Sequence, residues 1–543
     1  MAEPRIGSSA GFEFRAPSEP VSPLQYLAAW TASLQGWRRY GLAWLLGALA
    51  AGALPPFDLV PLLIVSFTGL VWLADGCHGW KRAFALGWSF GCGFFVAGLY
   101  WIAAALFVDI AAFWWMVPFA VFGLPSFLGI FTGAVLVFHR LVCGTFGIGG
   151  AGRALVLAAG WCAAEWLRGH VLTGFPWNLM GYAWSGGFPG STAMLQTTAY
   201  VGIYGLSLLT VLTACLPATL GDLGRRRFLP TAVAAVLVAV LLLAGEVRLQ
   251  AIPTSFVPDV TLRLVQPSIV QNLHATEETQ RADFQRQVIL STEPPTARLS
   301  ATIWAEAGVP PFIERNASAR LSLGLAAPEG GLVIGGTVRT DFQPAPPTHY
   351  WNSLVAVKHS GEIVDFYDKF HLVPFGEYVP LRSLLPIAKI TAGNVDFSTG
   401  PGPRTLDLPG LPPVGPLICY EAIFPGEVTD AARRPDWLLN VTNDAWYGLT
   451  SGPFQHFAIS RVRAVEEGLP LIRVGNNGIS GAIDPLGRIV ASLDLGAVSF
   501  LDVPLPSAAS VTLFHRYGDK VFFGALILIL SVALFVGRND RQF

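Results

Sequence analysis

Apolar residues fill positions 40 to 250 almost without a break. They give way to short apolar runs separated by Gly, Pro and Asp between Pro253 and Pro506, and return in one last run near the C-terminus. A helix crosses a hydrocarbon core of about 30 Å with about 20 apolar residues. That length predicts about eight spans, at 40–56, 59–74, 84–106, 110–138, 154–167, 192–220, 229–245 and 521–536. The first and fifth are short, which leaves seven as the alternative count.

Basic residues flank these runs at alternate loops. Arg38 and Arg39 precede the first, Lys81 and Arg82 follow the second, Arg140 and Arg153 bracket the loop after the fourth, and Arg225, Arg226 and Arg227 follow the sixth; Arg538 and Arg541 close the chain. Cytoplasmic loops retain Lys and Arg. With eight spans every cluster falls on the cytoplasmic side, and the segment between the seventh and eighth spans lies outside. The expected domains are a cytoplasmic tail at 1–39, seven spans within 40–250, a soluble domain at 253–506 and an eighth span with a cytoplasmic end at 517–543. Residues 1–25, rich in Pro, Ser and Glu and lacking an apolar core, are expected to be disordered.

The 543 residues are 52% hydrophobic and 13% charged, with a formal net charge of -1, a balance that fits a membrane protein and argues against a nucleic-acid partner.

In the soluble stretch "VTLRLVQP", "ATIWAEAG", "GGLVIGGTV", "NSLVAVK", "EIVDFYDK", "PVGPLICY", "DWLLNVTND", "LPLIRVGN" and "GRIVASL" have the length and β-branched content of strands. Helices are expected around 427–433 and 454–468, the second because Phe457, Arg461, Ala464 and Glu467 recur at helical spacing. Strands with interspersed helices predict a layered α/β domain.

Five of the six cysteines lie in or beside the apolar spans, where Cys behaves as a small hydrophobe; Cys419 stands alone in the soluble stretch. An unpaired cysteine in an exported domain is either buried and inert or kept for its reactivity. Glu306, Lys369 and Cys419 each follow an apolar run at the end of a predicted strand, where polar groups from neighbouring strands share a mouth. A nucleophilic thiol needs a base or a nearby cation, and Glu and Lys supply one of each. Lys also suits the oxyanion of a tetrahedral intermediate, where a well-placed donor contributes about 3 to 4 kcal/mol. Position alone is weak support, since charged residues at strand ends are usually just solvated.

The segments "WAEAGVP", "YDKFHLVPFGEYVP", "LICYEAIFP" and "NVTNDAWYG" resemble the Glu-Lys-Cys motifs of the nitrilase superfamily. Joined to membrane spans that include "EWLRGHVLTGFPWNLMGYAW" and "LQTTAYVGIYGLS", they resemble the apolipoprotein N-acyltransferase family over nearly the whole chain. The resemblance implies a polytopic helical bundle carrying an αββα sandwich, with Cys419 as nucleophile, Glu306 as general base, Lys369 supporting the oxyanion and Glu377 assisting near Lys369. Glu421, Tyr420 and Asn352 match positions that shape the site. It implies a phospholipid acyl donor, phosphatidylethanolamine, a thioester on Cys419, and a diacylglyceryl apolipoprotein whose α-amine receives the chain. It also implies a bacterial inner membrane with the catalytic domain on the periplasmic side, and no metal or cofactor.

An intermediate waiting for a large acceptor needs a dry site, for which Phe370, Phe375 and Trp446 are candidates, though they fit a core equally well. The aromatic segment from Phe175 to Trp184 reads either as the floor of an acyl groove or as an interfacial aromatic belt. Glu165 and Arg168 read as structural or headgroup-facing. The alternative function is a membrane-tethered amidase of a small C–N substrate using the same three residues.

Overall fold

The structure, a computed structural model, describes residues 22–341, 348–384, 389–391 and 395–539. Of the expected tail, residues 1–21 lie outside the described residues, whereas Pro23–Ser33 forms a helix closed by a capping box between Ser22 and Gln25.

The expected eight spans are corrected. Among the described residues five helical stretches are long and apolar enough to cross a membrane: Trp80–Met116, Phe119–Phe146, Thr198–Gly221, Arg226–Ala251 and Lys520–Gly537. Gly36–Ala51 has 16 residues and Leu62–Asp75 has 14, both short of a full crossing, and Gly150–His170 carries Arg153, Glu165 and Arg168. These three nevertheless pack within the bundle, around a core that includes Phe67, Phe90, Phe94 and Trp161. The run expected as one helix over 110–138 divides at Pro118, which cannot donate a hydrogen bond. Residues 100–123 are helical but irregular, a succession of 3-10, short α and π turns, and a regular α-helix begins only at Leu124.

The two ends of the bundle differ. At one, Arg39 donates to the carbonyl of Gly76 at 2.8 Å, and Arg153 bridges Asp75 at 3.0 Å and Asp222 at 2.6 Å. The α/β domain docks on the other. There the Arg461 guanidinium donates to the carbonyls of Ser185 and Gly186, at 3.1 and 2.9 Å. Gly202 (φ 66°, ψ -179°) interrupts the Thr198–Cys215 helix, and Glu466 accepts from the Ile203 N–H at 2.7 Å beside that break. A carboxylate of the α/β domain thus satisfies a donor inside the bundle.

Among the described residues eleven strands form two mixed sheets. The first has the order β11-β1-β2-β3-β4-β5, from β1 Phe256–Gln266, β2 Ala301–Trp304, β3 Leu332–Thr340, β4 Tyr350–Lys358, β5 Ile363–Asp368 and β11 Ser499–Pro506. The second has the order β10-β9-β8-β7-β6, from β6 Val414–Ile418, β7 Trp437–Thr442, β8 Leu471–Gly475, β9 Ser480–Ile483 and β10 Ile489–Leu493. Leu264, Ile303 and Ile334 of one sheet share a core with Ile418, Leu439 and Val474 of the other. Phe284 and Leu323, from helices Glu277–Thr292 and Ala317–Gly324, cover the outer face of the first sheet. Phe457 and Ala464, from the helix Ser451–Glu467, cover the second.

Nine expected strands are present, while β9 and β11 were not expected. The helix expected around 427–433 is absent: Asp430 Oδ1 accepts from the Ala432 and Arg433 N–H groups, a local turn that competes with a helix between Pro425 and Pro435.

Candidate active site

Glu306 lies two residues beyond the end of β2, Lys369 one residue beyond β5 and Cys419 one residue beyond β6, so three strand ends from both sheets meet at one mouth. Cys419 is only 5% exposed and has φ 51°, the left-handed region that a non-glycine residue enters at a cost of order 1 kcal/mol or more. The turn holds the thiol where β6 gives way to the 3-10 turn Cys419–Ile423.

Lys369 is 1% exposed, so its charge must be compensated in place. Its Nζ lies 3.0 Å from Glu377 Oε2 and 3.6 Å from Glu306 Oε1. Burial works against the ammonium, but Glu377 and then Glu306 outweigh it and hold Lys369 well above the usual lysine range. Asn352 completes the cluster: its Nδ2 donates to Glu306 Oε1 at 2.8 Å and Glu377 Oε1 at 2.7 Å. The second Glu306 oxygen accepts the backbone N–H of Asn443 at 2.8 Å, and the second Glu377 oxygen that of Val373 at 2.8 Å. Both carboxylates are therefore fixed in direction. Cys419 lies within electrostatic reach of this cluster. Burial first, then Glu306, push its thiol up to about 12 against the pull of Lys369, so the resting sulfur carries its proton.

Glu421 is fully buried and accepts from the Ile418, Phe370 and His371 N–H groups at 2.6, 2.7 and 3.3 Å, and from the Tyr367 hydroxyl at 3.1 Å. Burial pushes it up to about 7 against those backbone donors and Lys369. These bonds tie the Cys419 turn to the segment that carries Lys369. Tyr420 donates its hydroxyl to the carbonyl of Gly174 at 3.2 Å, which fastens the same turn to the membrane-side segment.

Trp446 is half-buried, but the neighbouring Tyr447 is the side chain that reaches the thiol, with its hydroxyl 3.9 Å from Sγ. The motif "NVTNDAWYG" contained Tyr447, yet one residue's difference in orientation inside a 3-10 turn is not legible from sequence. Tyr447 packs on Trp101 at 4.7 Å and Trp177 at 6.0 Å between ring centroids, and both indoles donate to Gln455 Oε1, at 3.2 and 2.8 Å. The segment from Phe175 to Trp184 is accordingly neither belt nor groove floor along its length, since Trp177, Met180 and Tyr182 are buried against neighbouring elements. Arg168 donates to the carbonyls of Phe175 and Trp177 at 2.6 and 2.7 Å, and Glu165 accepts from Trp161 Nε1 and the Met180 N–H, both at 2.9 Å. Of the two readings left open for this pair, their contacts are those of a structural role. Phe370 packs against the inter-sheet core, and Phe375 is exposed.

Beside the cluster lies a cavity of about 310 Å³. Ala104, Phe107 and Val108 of the membrane-side segment form one, apolar wall, and the α/β domain forms the other, in which the polar Ser268, Gln271 and Asn477 alternate with Val270, Ala445 and Gly448. Gln271 accepts from Asn443, whose backbone holds Glu306. Among the described residues no cluster of metal-ligating side chains occurs.

Residues 46–216 match the family described as apolipoprotein N-acyltransferase N-terminal domain, and residues 261–512 match carbon-nitrogen hydrolase. An apolipoprotein N-acyltransferase of Rhodopseudomonas palustris is 40% identical, covering 93% of this chain and 96% of its own. One of Bradyrhizobium diazoefficiens is 42% identical over the same shares. A solved amidase of the nitrilase superfamily from Nesterenkonia aligns with 49% of this chain and 97% of its own at 16% identity, with a TM-score of 0.35.

Proposed function

Because the chain belongs to the apolipoprotein N-acyltransferase family and is an N-acyltransferase of that kind, we propose that it works through a thioester on Cys419 with a phospholipid, phosphatidylethanolamine, as donor. The observation that carries this reading is the single cluster in which Asn352 joins Glu306 to Glu377, Lys369 sits between the two carboxylates, and the Cys419 thiol feels both Glu306 and Lys369.

In the first half-reaction Glu306 removes the thiol proton as Sγ attacks the acyl ester carbon. Lys369 stabilises the oxyanion. The ester C–O bond breaks, the leaving oxygen takes the proton from Glu306, and a lysophospholipid departs. In the second, the α-amine of the diacylglyceryl cysteine attacks the thioester carbon and gives a proton to Glu306. The C–S bond breaks, the sulfur recovers a proton, and the product is an amide. Glu377 holds the Lys369 charge so that Glu306 remains free to accept.

The cavity beside the cluster, apolar on its membrane-side wall, supports a lipid donor. The grouping of Arg39 and Arg153 at the bundle end away from the α/β domain supports a catalytic domain on the outer, periplasmic face of a bacterial inner membrane, since basic residues stay on the cytoplasmic side.

The test incubates the purified protein and Cys419→Ser with phosphatidylethanolamine alone and reads intact mass. A hydroxylamine-sensitive acyl adduct on the wild type, absent from the variant, is expected. A folded wild type with no adduct would overturn the donor assignment.

A further inference from the structure

Behind the nucleophile turn lies a fully buried polar unit that the reaction scheme above does not use. His456 Nε2 is 3.2 Å from the carbonyl oxygen of Cys419, and Nδ1 is 3.0 Å from Asp444 Oδ1. Asp444 also accepts from Arg473 at 2.8 Å and from the Thr442 hydroxyl at 2.9 Å. Arg473 donates to Asn440, whose Nδ2 lies 3.4 Å from the same Cys419 carbonyl. His456, Asp444 and Arg473 are all 0% exposed, and unpaired polar groups at that depth are costly.

Both neighbours of the imidazole are acceptors, a carboxylate on one side and a peptide carbonyl on the other. Two hydrogen bonds therefore require a proton on Nε2 and another shared between Nδ1 and Oδ1. Burial and then Arg473 work against the second proton and outweigh Asp444 and the Cys419 carbonyl, so the imidazole is held below the usual histidine range and the two acceptors compete for its proton. The ring is also boxed in by Trp177 of the bundle at 5.5 Å and by Tyr447 of its own domain at 5.8 Å. Gln455, the preceding residue, accepts from both Trp101 and Trp177, so the helix turn that bears His456 is pinned to the membrane-side segment.

Cys419 pays for its presentation with a left-handed backbone, which persists only where neighbours over-determine it. We propose that His456 is the positioning residue of the nucleophile. Its Nε2–H holds the Cys419 carbonyl, and with it the turn that aims the thiol at Glu306 and Lys369. The same hydrogen bond polarises the Cys419–Tyr420 peptide, whose N–H opens the 3-10 turn. Asp444 and Arg473 set the ring, and Trp177 couples it to the bundle.

The proposal rests on acyl transfer through Cys419, and its test is chosen to read the thiol without lipid as well as with it. Full-length His456→Gln and His456→Asn are compared with wild type in three measurements: melting temperature in detergent, rate of acyl-adduct formation with phosphatidylethanolamine, and rate of Cys419 alkylation by iodoacetamide. Gln places an amide N–H near the position of Nε2, and Asn near that of Nδ1. The expected result is that Gln stays within about tenfold of wild type in both rates, while Asn falls about 100-fold or more at a similar melting temperature. Equal rates for the two variants, or losses that follow only the folded fraction, would overturn the proposal. If His456→Asn does not fold, His456→Gln decides: retained rates support the positioning role, and a 100-fold loss at the wild-type melting temperature overturns it. Failure of both variants to fold would also overturn it, in favour of a purely structural histidine. Failure of the donor assignment alone would abolish the lipid adduct in every variant yet leave the alkylation order unchanged.

Discussion

Lys369 is paired more closely with Glu377, at 3.0 Å, than with Glu306, at 3.6 Å. The nearer carboxylate balances the buried ammonium, and in the proposed scheme the farther one keeps a lone pair for the proton. Glu377→Gln would leave Lys369 to Glu306 alone. Breaking a buried pair costs about 3 kcal/mol or more, so acyl-adduct formation should slow about 100-fold. Quenched-flow mass spectrometry reads this directly, and a rate within threefold of wild type would refute the division of labour.

Burial, with Glu306, pushes the Cys419 thiol up to about 12. The resting enzyme should hold a protonated sulfur, and the thiolate fraction should grow about tenfold per pH unit. Iodoacetamide alkylation of the free enzyme is expected to rise log-linearly from pH 7 to 10. Levelling below pH 9 would mean a thiolate already formed against Lys369.

His371 stacks on Phe424 at 3.7 Å, and burial, helped by Lys369, pushes its imidazole down to about 4 from 6.5. In that window the unfolded chain binds the proton and the folded chain does not, so stability falls as pH drops from 6.5 towards 4 and is unaffected by this group above 6.5. Melting temperatures of His371→Gln should fall less steeply over pH 6.5 to 4 than those of wild type. Parallel curves would show that another group governs the acid limb.

Arg168 feeds two buried carbonyls, those of Phe175 and Trp177. Arg168→Leu strands both buried carbonyls, at a cost of about 1 to 3 kcal/mol for each. Arg168→Lys should recover only part, because an ammonium lacks the planar fork. A detergent melting curve tests both variants; an unshifted Arg168→Leu would argue for a surface role.

The strand-end positions of Glu306, Lys369 and Cys419 were legible because strand-length apolar runs end just before each of them, and β2, β5 and β6 do end there. Asn352 was legible only by resemblance, since its two side-chain partners, Glu306 and Glu377, come from separate segments. His456 and Asp444 were not legible as a pair: they lie 12 residues apart, one in a turn and one in a helix, and only the docking of that helix behind β6 and β7 brings them together. The span count failed for a related reason. Counting apolar residues treats every helix as lipid-facing, whereas Gly150–His170 buries Arg153, Glu165 and Arg168 inside the protein, where partners rather than hydropathy decide the cost.

The hydroxyl of Tyr420 on the Gly174 carbonyl, and the ring of Tyr447 against Trp101 and Trp177, make the bundle a wall of the proposed catalytic centre. The centre is therefore not portable. A water-soluble excision of residues 253–506 would keep Glu306, Lys369, Glu377 and Cys419 and still lose the surfaces that orient both aromatic neighbours of the sulfur. Fusing that fragment to an unrelated membrane anchor would restore its address but not its fit. In this protein the tether and the tool were shaped against each other, and they can be exchanged only as one piece.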